Sequence, residues 1–155
     1  MSIRRLRARV PSAVKVDIGS VEKHELKFHK VSKIDGSAKC NIMETGDPLH
    51  VVYGVVFHIA YREKAELDRI EGTGFGYDQK YVDVMLTDGS VVQAFTYHAT
   101  DIAPGLKPLD WYKQHVLIGA RENRLPEKYI SLIEAIEAIE DKDMERRERE
   151  LVIYR

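Results

Sequence analysis

The sequence predicts a fold of mixed α and β content, and three observations carry that prediction. Residues 11–57 are punctuated like a series of short strands. Thr87-Asp88-Gly89-Ser90 is the strongest hairpin signal in the chain. Apolar stripes at helical spacing dominate only after Leu109.

Length and composition bound the rest. At 155 residues the chain reads as one domain, 1–155, with residues 141–155 as a charged C-terminal extension. Hydrophobic residues at 44% and charged residues at 32% exclude a disordered chain. The net charge of −1 gives no general pull toward nucleic acid or an acidic membrane. The one cysteine, Cys40, cannot form an internal disulfide, which fits a reducing compartment and so the cytoplasm. The longest apolar stretch, residues 51–59, is broken by Tyr53, Gly54 and His58 and is far short of the ~18 residues a membrane helix needs.

Taken in order, residues 1–10 carry Arg4, Arg5, Arg7 and Arg9 without an acid. A transit peptide or a nucleic-acid arm has this look. Ile3, Leu6 and Val10 share one helical face, however, so a short amphipathic helix stopped by Pro11 is the expectation. Gly19-Ser20, Asp35-Gly36 and Gly46-Asp47-Pro48 are turn signals. Between them, residues 25–31 alternate, with Leu26, Phe28 and Lys30 on one side. Residues 51–59 read as a central strand, in which Gly54 suggests close approach by another backbone or a ligand.

Residues 62–71 are good helix formers, with Leu67 and Ile70 toward the core and Gly72 as the stop. The glycine-rich stretch 72–76 is a tight loop. Residues 81–86 and 91–97 are the two arms of the hairpin. Leu109, Tyr112, Val116 and Gly119-Ala120 then mark one helix. Pro126 opens the next, with Tyr129, Leu132, Ile133, Ile136 and Ile139 as its stripe. Residues 141–150 read as a solvated helix, and Leu151-Val152-Ile153-Tyr154 as an apolar end that docks back or forms a homodimer.

Few residues carry chemistry. Gly72-x-Gly74-x-Gly76 lacks the third glycine of a dinucleotide loop, since Tyr77 stands in its place, and it follows a helix instead of a strand. The six histidines have no zinc spacing, and Cys40 has no nucleophile context. Glu71 differs. It borders the apolar face of its helix, in the last turn, where burial and the negative end of the helix dipole both disfavour a carboxylate. That is a way to make a glutamate a useful proton carrier near neutral pH. The same position suits an ordinary surface glutamate equally well.

Leu67-Asp68-Arg69-Ile70-Glu71-Gly72 resembles the Leu-Asp-x-x-Glu-Gly signature of the γ-glutamylcyclotransferase family. Gly54-Val55-Val56-Phe57, Tyr81-Val82-Asp83-Val84, Phe95-Thr96-Tyr97 and Gly119-Ala120-Arg121-Glu122-Asn123 followed by Leu125-Pro126 resemble further family segments, in the same order. The resemblance spans about residues 12–140. It implies an α+β fold with a small, mixed, barrel-like sheet and packed helices. It also implies an enzyme that needs no cofactor and no metal and acts on a small γ-glutamyl compound to release 5-oxoproline. Glu71 is the implied acid/base. Gly74 and Gly76 are expected to let the following loop close over the substrate, and Tyr97 to line the pocket. A dipeptide, an amine and glutathione all remain open as substrates.

The family begins with a strand ending in Tyr-Gly-Ser-Asn, whose loop holds the γ-glutamyl head group, and this chain matches the family from just after it. In-frame codons upstream of Met1 are therefore expected to encode that strand. A sheet without it is expected to keep an open edge, filled by a partner chain, by residues 151–154, or by loop disorder near Met1. Two other functions stand beside the enzyme: an inactive binding or regulatory domain of the same fold, and an interaction protein using the basic N-terminus, which salt-sensitive nucleic-acid binding would reveal.

Overall fold

The structure, a computed structural model that describes residues 2–155, has the α+β class expected, with six strands and five α-helices among those residues. Strands β1 (Val14–Glu22), β4 (Val51–His58), β5 (Tyr77–Leu86) and β6 (Val91–Ala99) form one antiparallel sheet in the order β4-β1-β5-β6. Strands β2 (His24–Val31) and β3 (Ala38–Glu44) form a separate antiparallel pair. The hairpin signal is the β5–β6 turn, where Leu86 N–H donates to the Ser90 carbonyl at 2.8 Å.

Two glycines have other roles than their sequence context suggests. Gly19-Ser20 is not a turn, because β1 runs straight through it and meets β4 on one side and β5 on the other. The close backbone approach is there too. A Cβ on Gly19 would lie 2.5 Å from Val84 Cγ1 and 2.8 Å from the Met85 carbonyl oxygen, whereas a Cβ on Gly54, its partner in β4, would meet nothing within 4 Å. Nor is the 51–59 run central: β4 is an edge of its sheet, and Val52 is its one fully buried side chain.

Helices α3 (Asp110–Glu122) and α4 (Glu127–Glu134) pack on β2, β3 and β4 through Leu117, Ala120, Tyr129, Ile130 and Ile133, against Phe28, Ala38 and Val52. The α4 stripe ends earlier than its periodicity suggests. Leu132 is exposed, and Ile139 leaves the helix to pair with residues 108–110, giving its carbonyl to Asp110 N–H at 2.9 Å.

Helix α5 (Met144–Leu151) and the 3-10 turn Val152–Tyr154 dock back. Arg5 donates to His115 Nε2 at 2.7 Å, so Nδ1 carries the ring proton and donates to Tyr154 Oη at 2.9 Å. Arg5 also pairs with Glu150 at 3.1 Å.

The expected open edge is present between β3 and β6. Each pairs with one strand only among the described residues. Side chains bridge the slot instead: the Ala99 N–H donates to Asn41 Oδ1 at 2.7 Å, and Cys40 has its N–H held by Tyr112 Oη at 3.1 Å and its carbonyl by Tyr77 Oη at 2.7 Å. The 151–154 tail sits against α1 (Ile3–Arg7) and α3 and does not fill it. Met1 lies outside the described residues.

Candidate active site

Helix α2 (Tyr61–Glu71) ends at Glu71, the residue singled out in the sequence. Gly72 takes the left-handed conformation, φ 74°, and the Thr73 N–H reaches back to the Asp68 carbonyl at 3.0 Å, so the chain turns sharply just after Glu71. The other end of α2 is held by the Pro11-Ser12-Ala13 segment. Ser12 Oγ donates to Glu63 at 2.7 Å and accepts from Ala60 N–H at 2.8 Å, tying the first turn of α2 to this segment. Leu67 packs with Leu6, Val10 and Ala13, flanked by Phe57, Phe95 and Tyr97. That small core fixes the helix against α1 and β6 and leaves Glu71 at its rim, its side chain 18% exposed.

Packing α1 on α2 brings Arg9 to Glu71. Arg9 Nη1 donates to Glu71 Oε1 at 3.1 Å, and among the described residues no donor binds Oε2. One carboxylate oxygen is oriented by Arg9 while the other has no hydrogen-bond donor among the described residues. The sequence reading weighed burial and the helix dipole for Glu71 and did not foresee this guanidinium, which stands beyond a proline in the chain.

Tyr97, on β6, donates its hydroxyl to Asp68 Oδ1 at 2.6 Å. Burial, then this bond, push its proton affinity well above the ordinary tyrosine value. Asp68 therefore belongs to the same cluster. Lys64 binds the same carboxylate and lies over the Phe95 ring, 4.6 Å from its centroid. Burial pushes Asp68 up, but the Lys64 and Tyr97 hydrogen bonds outweigh it and hold the carboxyl below its usual range. Glu66, by contrast, is exposed and pairs with Arg69.

The glycine loop is split between two environments. Gly74 is exposed with φ 82°, its N–H donating to the Tyr77 carbonyl at 2.8 Å. Gly76 is buried, with φ 120°, and a Cβ there would lie 3.2 Å from Cε of Lys30 and 3.4 Å from its Nζ. The ammonium of Lys30 lies over the Tyr77 ring, 4.9 Å from its centroid. Burial is the largest influence on the protons of Lys30, Tyr77 and Tyr97, and the charge of Glu71 is a smaller one at each. Of the residues singled out in the sequence, Glu71, Gly76 and Tyr97 thus fall in one neighbourhood and Gly74 lies at its open side. Arg9, Lys30, Asp68 and Tyr77 join them without a local sequence signal.

Cys40 stands apart from this chemistry, with burial pushing its thiol up to about 12. No three His, Cys, Asp or Glu side chains converge as metal ligands among the described residues. A cavity of about 580 Å³ between β2, Leu49 and α4 shares no residue with the Glu71 cluster. No helix among the described residues is long and apolar enough to cross a membrane.

Comparison with known proteins points to one family. The AIG2-like family pattern matches residues 51–133, which include Glu71, Gly74, Gly76 and Tyr97. A γ-glutamylcyclotransferase of Bos taurus is 29% identical over 138 residues, covering 86% of this chain and 72% of the bovine one. Among solved structures, a γ-glutamyl cyclotransferase superposes with a TM-score of 0.83 at 24% identity, over 99% of this chain and 92% of its own. A human protein described as uncharacterized superposes at 0.81 and 25%, over 98% and 91%. YkqA of Bacillus subtilis shares the fold at 0.71 and 16%, over 87% of this chain and 49% of its own.

Proposed function

Because the chain belongs to the AIG2-like family, we propose that it is a cytoplasmic γ-glutamyl cyclotransferase with Glu71 as its single acid/base. The reaction closes a ring within one substrate. The neutral α-amine attacks the γ-carbonyl carbon while Glu71 Oε2 takes one of its two N–H protons. A new N–C bond closes the five-membered ring. The bond from that carbon to the leaving nitrogen breaks, and Glu71 returns the proton to that nitrogen. The products are 5-oxoproline and a free amine or amino acid. Nucleophile and electrophile belong to one molecule and no electrons are exchanged, so the chemistry calls for no redox cofactor. Holding the substrate folded supplies much of the rate, and the remainder is proton transfer by one well-placed carboxylate.

The observation that carries this reading is the state of Glu71: at a helix end turned by Gly72, one oxygen tied to Arg9 and the other open. Its test is 5-oxoproline release from a γ-glutamyl compound by the full chain, beside Glu71→Gln. The amide keeps the size and removes the titratable proton, so turnover should fall about 10²- to 10⁴-fold with little change in melting temperature. A Glu71→Gln variant that turns over like the parent would exclude this mechanism. No release by the parent would leave the binding-domain reading in its place.

A further inference from the structure

Lys30 is a cation that the mechanism above leaves unused. Three independent features bring it to the site. A bulge in β2, between Phe28 and Lys30, lets Phe28 and His29 both bury in succession, so the alternation restarts and Lys30 leaves the side it was expected to share with Leu26 and Phe28. Gly76 then supplies the space: any side chain there would press on Lys30 Cε and Nζ. The Tyr77 ring, pinned through its hydroxyl to the Cys40 carbonyl, gives the ammonium a face to rest on.

What the site does not give Lys30 is an acceptor. Among the described residues it makes no ion pair and no side-chain hydrogen bond, though Asp101 stands close to Gly76 and the charges of Asp101 and Glu71 both act on it. Burial is the largest influence on it and lowers its proton affinity. A half-buried ammonium without an ion pair is costly unless a ligand supplies the counter-charge.

The geometry of the substrate decides which carboxylate that is. In a γ-glutamyl compound the α-carboxylate and α-amine share one carbon. If the amine is at Glu71, the α-carboxylate must be beside it, where Arg9 already stands with one donor engaged. Lys30 makes no ion pair with Glu71 and lies against Gly76 and the Tyr77 ring, so it is the cation left for the other side of the scissile bond. Resting on the cyclotransferase reading, we propose that Lys30 is a specificity-determining residue: its Nζ takes the carboxylate of the departing amino acid, so γ-glutamyl amino acids are preferred over γ-glutamyl amines.

The test compares two substrates that differ only in that carboxylate, γ-glutamyl-alanine and γ-glutamyl-ethylamide, on the full chain, Lys30→Met and Lys30→Arg. The parent should favour the alanine compound by about 10- to 100-fold in kcat/KM, the range of one hydrogen bond to a charged group. Lys30→Met should lose that preference, mainly through KM for the alanine compound, and keep its rate on the ethylamide. Lys30→Arg should restore most of the preference. If Lys30→Met lowers both substrates equally, or the parent does not discriminate, Lys30 is structural and the proposal is overturned. Should Lys30→Met melt early, Lys30→Gln replaces it and is read by the same ratio. A parent that turns over neither compound overturns the cyclotransferase reading itself, and Lys30's role with it.

Discussion

Around Glu71 the decisive contacts are between single side chains, and Asp68 shows how two of them interlock. Its carboxylate accepts from Tyr97 and from Lys64, so a half-buried acid holds both a β6 tyrosine and a lysine stacked on Phe95. Those bonds hold its folded-state affinity for a proton below the ordinary value of 3.8. A depressed carboxyl adds stability that is fully present above the unfolded value and is lost as pH falls through the folded one. Asp68→Asn should therefore lower the melting temperature at pH 7 and flatten the loss of stability below about pH 4. Glu66→Gln, on the exposed side of α2, should change neither. Thermal melts from pH 7 to pH 2 check this, and an Asp68→Asn curve parallel to the parent's would remove Asp68 from the account.

At the scale of elements, the joint of the larger sheet is where β1 crosses β5, and it is made by a missing side chain. Gly19 lets the Met85 carbonyl and Val84 come within a distance that no Cβ tolerates, and one of the two is backbone that cannot swing aside. Gly19→Ala should cost about 1–3 kcal/mol by overpacking, measured by urea unfolding. Gly54→Ala, directly across the ladder, has open space and should stay near the parent. Equal costs at the two positions would contradict the geometry. The sequence held a glycine signal at both and could not rank them, because the approach depends on which strand lies beside β1, a matter of sheet order. The helices were easier. α2, its glycine stop and the α3–α4 pair are written in local periodicity and capping, and they form nearly where expected. α4 fell short only because Ile139 found a strand-like partner at residues 108–110.

For the molecule as a whole, the slot between β3 and β6 is the feature that sets its behaviour. Thr100 N–H donates to the Gly76 carbonyl, so the even-numbered amides of β6 turn toward β5 and the odd ones toward the slot, as Ala99 confirms by reaching Asn41. The amides of Phe95 and Tyr97 should exchange with solvent markedly faster than those of Ala94 and Thr96. Hydrogen exchange read residue by residue checks this, and equal protection would mean that a strand pairs in the slot. The sequence by itself determined the α+β content, the hairpin, the helix that ends at Glu71 and, through the Leu67–Gly72 hexapeptide, the family resemblance that singles out Glu71 as the proposed acid/base. These are local facts, carried by side chains within a turn or two of each other. Only the tertiary structure decided that Arg9 orients Glu71 from 62 positions away, that a bulge and Gly76 admit Lys30, and that Tyr77 and Tyr112 hold Cys40 across an open edge. The reason is physical: which side chains meet across such separations is fixed by how the helices and sheets pack, and no period along the chain encodes that.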